Sequence, residues 1–204
     1  MDYKLKLKAL LHDPIDKIWS FNNIKEDDIV HKDIIKTKML WHEKVAQDLF
    51  AYLSTEPLAD EIINQADIIA SGLSRIVVSP SENKEKDFKE ENSVFLDNAI
   101  YIDFATGKQC DIGLPGSKNE VIDLFEKLGN LKFNSQDEQL RFDFLFLWRF
   151  LPEIFPWINT HPADSRAPNH SIYDHLVQTS AISGCLQNND SPAFLLLTIG
   201  PVQD

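Results

Sequence analysis

The sequence predicts a mainly α-helical fold with a small β insertion, and three observations carry that expectation. Apolar residues recur at helical spacing through most of the chain. Those stretches open and close on capping residues and prolines. One internal stretch, SVFLDNAIYIDFATGKQCDIG, instead alternates and is rich in β-branched and aromatic residues, as short strands are.

The first helix is expected over residues 2–12, with Tyr3, Leu7, Leu10 and Leu11 on one face. Pro14 stops it and pushes Asp13 out of helical backbone. A second helix is expected over residues 32–54, with the stripe Trp41, Val45, Leu49 and Tyr52. A third, over residues 56–77, takes Pro57 into its first turn and buries Ile62, Ile63, Ala66, Ala70, Leu73 and Val77. Residues 79–92 are polar with mixed charge and read as a solvated connection. The alternating stretch gives two strands within residues 93–113, turning near Thr106 and Gly107.

Ser117 and Glu120 form a capping box for a helix ending at Gly129. Ser135 and Glu138 open another, whose face Leu140, Phe144, Leu147, Trp148 and Leu151 ends at Pro152. A proline-punctuated loop follows, and Ser171 caps a final helix with Asp174 in its first turn. Residues 193–199, AFLLLTI, read as a strand buried on both faces, which belongs to a sheet with covering helices. With Asp204 so close behind it, the chain is expected to be the N-terminal piece of something longer.

A chain of 204 residues, 43% hydrophobic and 25% charged with 7 Gly, is not disordered, collagen-like or of low complexity. It has no run of about 18 apolar residues to span a membrane, and residues 1–11 lack the apolar core and cleavage site of a signal peptide. Cys110 and Cys185 lie far apart without a CxxC, which argues against a disulfide framework or a zinc knuckle. A cytoplasmic chain is expected. Twenty Lys and Arg against 32 Asp and Glu give a net charge of −12. That disfavours a free-standing nucleic-acid binder, since phosphate affinity comes from clustered cations, but it leaves room for a nuclease whose metal ions or partners supply the charge.

Three groups of residues could carry chemistry. His12 and Asp13 are adjacent at the end of an apolar helix, where a polar helix stop is the ordinary reading. Asp67 borders the apolar face of the third helix, so it is expected to be paired, hydrogen-bonded or metal-bound. Pairing with Arg75, or rotation into water, is the plain alternative. The third group is Asp164, His170 and His175. His175 sits on the last helix beside small residues, where a satisfied core histidine is commoner than a ligand, and His170 would reach in from the loop. Together these are the inventory of a mixed imidazole and carboxylate site for first-row divalent metals such as Mn, Fe, Co, Ni or Zn. Paired ions in such a site activate water and neutralise a phosphodiester's developing charge.

The order of these residues resembles an HD-type phosphohydrolase that has been circularly permuted. The doublet His12–Asp13 comes first, Asp67 next, and His175, the family's usual first His, comes last. The segments KALLHDPIDK, ADIIASGLSR, PADSRAPNHSIYDHL and LLLTIGPVQD are similar, in that order, to the N-terminal HD domain and first palm strand of a particular family. That family is the large, polymerase-like subunit of type III CRISPR effector complexes, and the match is closest to subtype B. The resemblance implies an HD domain over residues 1–190, with a loop and hairpin insertion at 79–135, and the start of a palm-like domain at 191–204.

It further implies a metal-dependent nuclease that acts on single-stranded DNA in antiviral defence, within a ribonucleoprotein carrying a guide RNA and other subunits. His12, Asp13, Asp67 and His175 would be metal ligands for one or two ions, with His12 and Asp13 catalytic and Asp13 the bridge. His170 and Asp164 are second choices, and Lys17 and Arg166 are candidate phosphate contacts. The Gly-Gly-Asp-Asp turn of the family's palm domains and its cysteine-rich zinc ribbon are absent from this sequence, so cyclic oligoadenylate synthesis is not expected of it. Catalytic competence varies among HD domains of subtype B. An idle HD scaffold that contacts neighbouring subunits is therefore the alternative, and a nucleotide phosphohydrolase is a third reading.

Overall fold

The computed structural model describes residues 2–15, 17, 41–74, 100–102, 109–111, 118–161, 163 and 170–193. Within them the chain is mainly helical. Helix α1 spans Tyr3–Leu10, α2 Trp41–Phe50, α3 Glu61–Ser74, α4 Lys118–Gly129, α5 Gln136–Ile154 and α6 Ile172–Gln187. A 3-10 turn, Pro156–Asn159, follows α5. Strands β1 (Ile100–Ile102) and β2 (Gln109–Asp111) pair antiparallel, with Tyr101 opposite Cys110. Thr106 and Gly107 fall between them, where a turn was expected. The loop expected over 79–92 and the strand expected over 193–199 lie outside the described residues, except for Ala193.

Helix α1 is the central element. Asp2 caps it by accepting a 3.0 Å bond from the Leu5 amide, satisfying a donor that the first turn cannot satisfy itself. Leu7, Leu10 and Leu11 join the main core with Phe50, Phe125, Leu147, Leu151 and Leu176, while Leu5 and Ala9 pack on the other side against Ile63. α1 thus has apolar neighbours on both faces, and α6 packs on both α1 and α3. The small residues of α6 permit that close approach: the Ser180 hydroxyl donates to the Lys6 carbonyl at 2.9 Å, and Gly184 abuts the Lys6 stem.

Several boundaries differ from the sequence expectation. The second helix ends at Phe50 rather than residue 54, and Tyr52 is exposed in the turn that follows instead of extending the buried stripe. Helix α3 starts at Glu61, not at residue 56, so Pro57 lies in the connection and not in a first turn. There the Gln47 amide clamps the chain, accepting from the Leu58 amide at 2.6 Å, and Lys4 and Lys8 pair with Glu56. Asp60 then caps α3 by accepting from Ile62 at 2.9 Å. Ile63, Ala66 and Ala70 are buried as expected, whereas the Leu73 side chain and Val77 are outside the described residues, as are Ser117 and residues 32–40.

Helix α5 runs two residues past Pro152. A proline inside a helix removes the bond to the carbonyl four residues back, here that of Trp148. The Tyr173 hydroxyl of α6 donates to that carbonyl instead, so the turn survives. Trp148 itself is 45% exposed and does not belong to the buried stripe. The outer side of α5 is unusually apolar, with Phe142, Leu145 and Phe150 exposed and Phe146 half-buried.

Candidate metal centre

Three helices converge on one cluster. His12 follows the last turn of α1, where the chain leaves helical geometry ahead of Pro14. Asp67 stands midway along α3 and His175 in the first turns of α6, whose start is fixed by the Ser171 cap accepting from the Asp174 amide at 3.0 Å. His12, Asp67 and His175 each offer one ligand atom, and these atoms all lie within 4.8 Å of one another. His175 Nε2 is 3.1 Å and His12 Nε2 3.6 Å from the same oxygen, Asp67 Oδ1.

Hydrogen bonding orients His12. Its Nδ1–H donates to the Ala9 carbonyl at 2.8 Å, and a carbonyl can only accept, so the proton sits on Nδ1. Nε2 then faces Asp67, is buried, and has no hydrogen-bond partner among the described residues. A backbone carbonyl that takes one ring N–H while the other nitrogen points at an acidic ligand is the usual second-sphere arrangement of a metal-binding histidine. His175 is also buried, and its Nδ1 has no hydrogen-bond partner among the described residues.

Two imidazoles and one carboxylate suit a first-row divalent ion. With metal–ligand bonds of about 2.0–2.2 Å, separations of 3.1 and 3.6 Å between donor atoms can be spanned by one ion. The residues therefore fit a divalent metal.

The electrostatics of the cluster run the same way. Burial works to raise the Asp67 carboxyl, but His12 and His175 beside it outweigh burial and hold it well below the usual carboxylate range. Burial also works against a proton on His12, yet Asp67 and Asp13 prevail and raise its pKa. A cation is favoured at this point, whether proton or metal.

The other candidates occupy the margin. Asp13 is buried, with Oδ2 3.9 Å from His175 Nε2 and 2.6 Å from Lys17 Nζ, so Lys17 neutralises it at the edge of the cluster. The His170 ring centroid is 6.0 Å from that of His175. Asp164, Arg166 and Arg75 are outside the described residues. One contributor was not anticipated from the sequence: the Ser71 hydroxyl donates to Asp67 Oδ1 at 3.2 Å. Its spacing of one helical turn was the available signal.

Fold and site together define a class: a mainly helical domain with a His–Asp–His cluster between its helices. Over 182 residues the chain is 28% identical to the CRISPR system CMR subunit Cmr2 of Saccharolobus solfataricus, a match covering 87% of this chain and 17% of that protein. This chain is thus similar to Cmr2 through most of its own length while spanning a small part of the relative. No family model matches the sequence, and no solved structure matches it. Among the described residues no helix is long and apolar enough to cross a membrane.

Proposed function

We propose that this chain is a circularly permuted HD-type domain of the large subunit of a type III CRISPR effector complex, closest to subtype B, which hydrolyses single-stranded DNA with divalent metal. The observation that carries the reading is the His12, Asp67 and His175 cluster with His12 Nδ1 tied to a backbone carbonyl. The similarity to Cmr2 over 87% of the chain supports it. In this reading residues 1–190 form the HD domain, with residues 79–135 its insertion, and residues 191–204 open a palm-like domain. The complex works in a prokaryotic cytoplasm with a guide RNA and partner subunits.

His12, Asp67 and His175 are the residues that would hold the ion, with Asp13 the bridge to a second one and His170 and Asp164 in reserve. A bound first-row ion, Mn or Ni among the candidates, supplies Lewis-acid stabilisation and a water acidic enough to attack at neutral pH. The chain's own groups prepare that chemistry. The Ala9 carbonyl holds the His12 tautomer. The His12 and His175 side chains are only 12% and 4% exposed and so are largely kept from bulk water, whereas the Asp67 side chain is 41% exposed, which leaves the cluster open on the α3 side. Lys17, already beside Asp13, is a ready anchor for a phosphate oxygen. The net charge of −12 means that basic surface for DNA must come largely from partner subunits.

The test is cleavage of labelled single-stranded DNA by the purified chain with Mn²⁺, Ni²⁺ or Mg²⁺, beside the His12→Ala/Asp13→Ala variant. Metal-dependent cleavage that the variant loses is the expected result. Activity on mononucleotides alone would favour the phosphohydrolase reading. The idle scaffold draws support from the Lys17–Asp13 ion pair, which satisfies Asp13 without an ion. Neither cleavage nor bound metal would select it.

A further inference from the structure

We infer that Ser71 is a positioning residue, holding Asp67 so that it presents one fixed oxygen to a divalent cation; this rests on the metal-binding reading of the cluster. The three members are not immobilised alike. The side chains of His12 and His175 are 12% and 4% exposed and so are held by packing, but that of Asp67 is 41% exposed. A partly exposed aspartate side chain on a helix exchanges between rotamers and water, so packing alone does not keep it aimed at the two imidazoles. Ser71 supplies what packing lacks. From one turn further along α3 its hydroxyl donates to Asp67 Oδ1 at 3.2 Å, the same oxygen that faces His12 and His175. A carboxylate oxygen has two in-plane lone pairs. One accepts from Ser71, and the other remains for the cation. Thr179 makes the contrast: it stands in the same relation to His175 on α6, yet its hydroxyl goes to the His175 backbone carbonyl at 2.9 Å and not to the ring.

The test measures Mn²⁺ binding to the 204-residue chain by calorimetry and by the Mn²⁺ electron paramagnetic resonance spectrum, for wild type, Ser71→Ala, Ser71→Thr and His175→Ala. Loss of a second-sphere partner is expected to weaken binding by about tenfold in Ser71→Ala, with an altered spectrum for the bound ion. Ser71→Thr should restore both. The urea midpoint of the metal-free chain should be the same in wild type and Ser71→Ala, because the hydroxyl's bond is to the partly exposed Asp67 carboxylate. Wild-type affinity in Ser71→Ala, with binding abolished in His175→Ala, would overturn the role of Ser71 and leave the metal site standing. Equal weakening in Ser71→Thr would also overturn it, because the hydroxyl would then not be the cause. No binding by the wild type would overturn both.

Discussion

Asp143 lies on the core side of α5 between Leu140 and Leu147, fully buried, with neither carboxylate oxygen hydrogen-bonded among the described residues. Burial pushes its pKa up to about 7. The folded chain therefore keeps this proton at pH values where the unfolded chain has released it. Between the ordinary carboxylate value and about 7, the folded state binds more protons, so stability falls as pH rises and then levels off. Asp143→Asn removes that term. Urea unfolding should show little difference between variant and wild type near pH 4, and a variant more stable by up to ~4 kcal/mol at pH 8. A pH-independent difference would mean that burial does not raise the Asp143 pKa above its value in the unfolded chain. At the cluster the sign is set by competition: a metal needs the His12 lone pair, and Asp67 helps His12 keep its proton. Mn²⁺ affinity should then rise with pH, by about tenfold per unit where one proton is displaced, and flatten above the pKa of His12. Calorimetry across pH 5.5–8 reads this directly.

At the scale of elements, two glycines should answer oppositely to the same change. A Cβ on Gly129, at the end of α4, would lie 2.1 Å from the Tyr52 carbonyl oxygen, a contact no side chain can make without moving backbone. Among the described residues, nothing lies within 4 Å of the corresponding position on Gly72, in α3. Gly129→Ala should destabilise by about 1–3 kcal/mol, and Gly72→Ala should stabilise by up to about 1 kcal/mol through helix propensity. Chemical denaturation of the pair checks both. The Tyr173 hydroxyl and Pro152 are coupled through the Trp148 carbonyl. Tyr173→Phe should cost about 1–2 kcal/mol, and less in a Pro152→Ala background, where the backbone can take up that carbonyl. Additive effects would mean that the hydroxyl does not serve the carbonyl.

For the molecule as a whole, the cluster ties α1, α3 and α6 together at residues remote in sequence, so a bound ion acts as a crosslink of the folded state. Mn²⁺ at one hundred times its Kd should add about 2.7 kcal/mol of stability. Thermal unfolding should show this as a rise in Tm that EDTA reverses and that His175→Ala abolishes. An unchanged Tm in the wild type would exclude an ion held at this point.

Much of this was legible in the residues, and the parts that were not have physical causes. The caps at Ser135 and Ser171 and the stop ahead of Pro14 follow from local rules, and the antiparallel strands on either side of Thr106 and Gly107 from alternation around a short turn. His12, Asp67 and His175 could be named as candidates because ionisable groups at the edge of apolar faces need partners. What those partners are was decided by tertiary structure: Asp67 turns to two imidazoles, and Asp13 is taken by Lys17 at the margin. The start of α3 was misplaced because Gln47 and the α1 lysines, not local propensity, govern the connection before it. Pro152 stays within α5 because a hydroxyl from another helix replaces the bond it removes. The sequence by itself determined where helices can begin and which groups must find partners, because those constraints are local. Only the packing of α1, α3 and α6 decided which partners they find, because hydrogen bonds and charges are satisfied by whatever lies nearest in space.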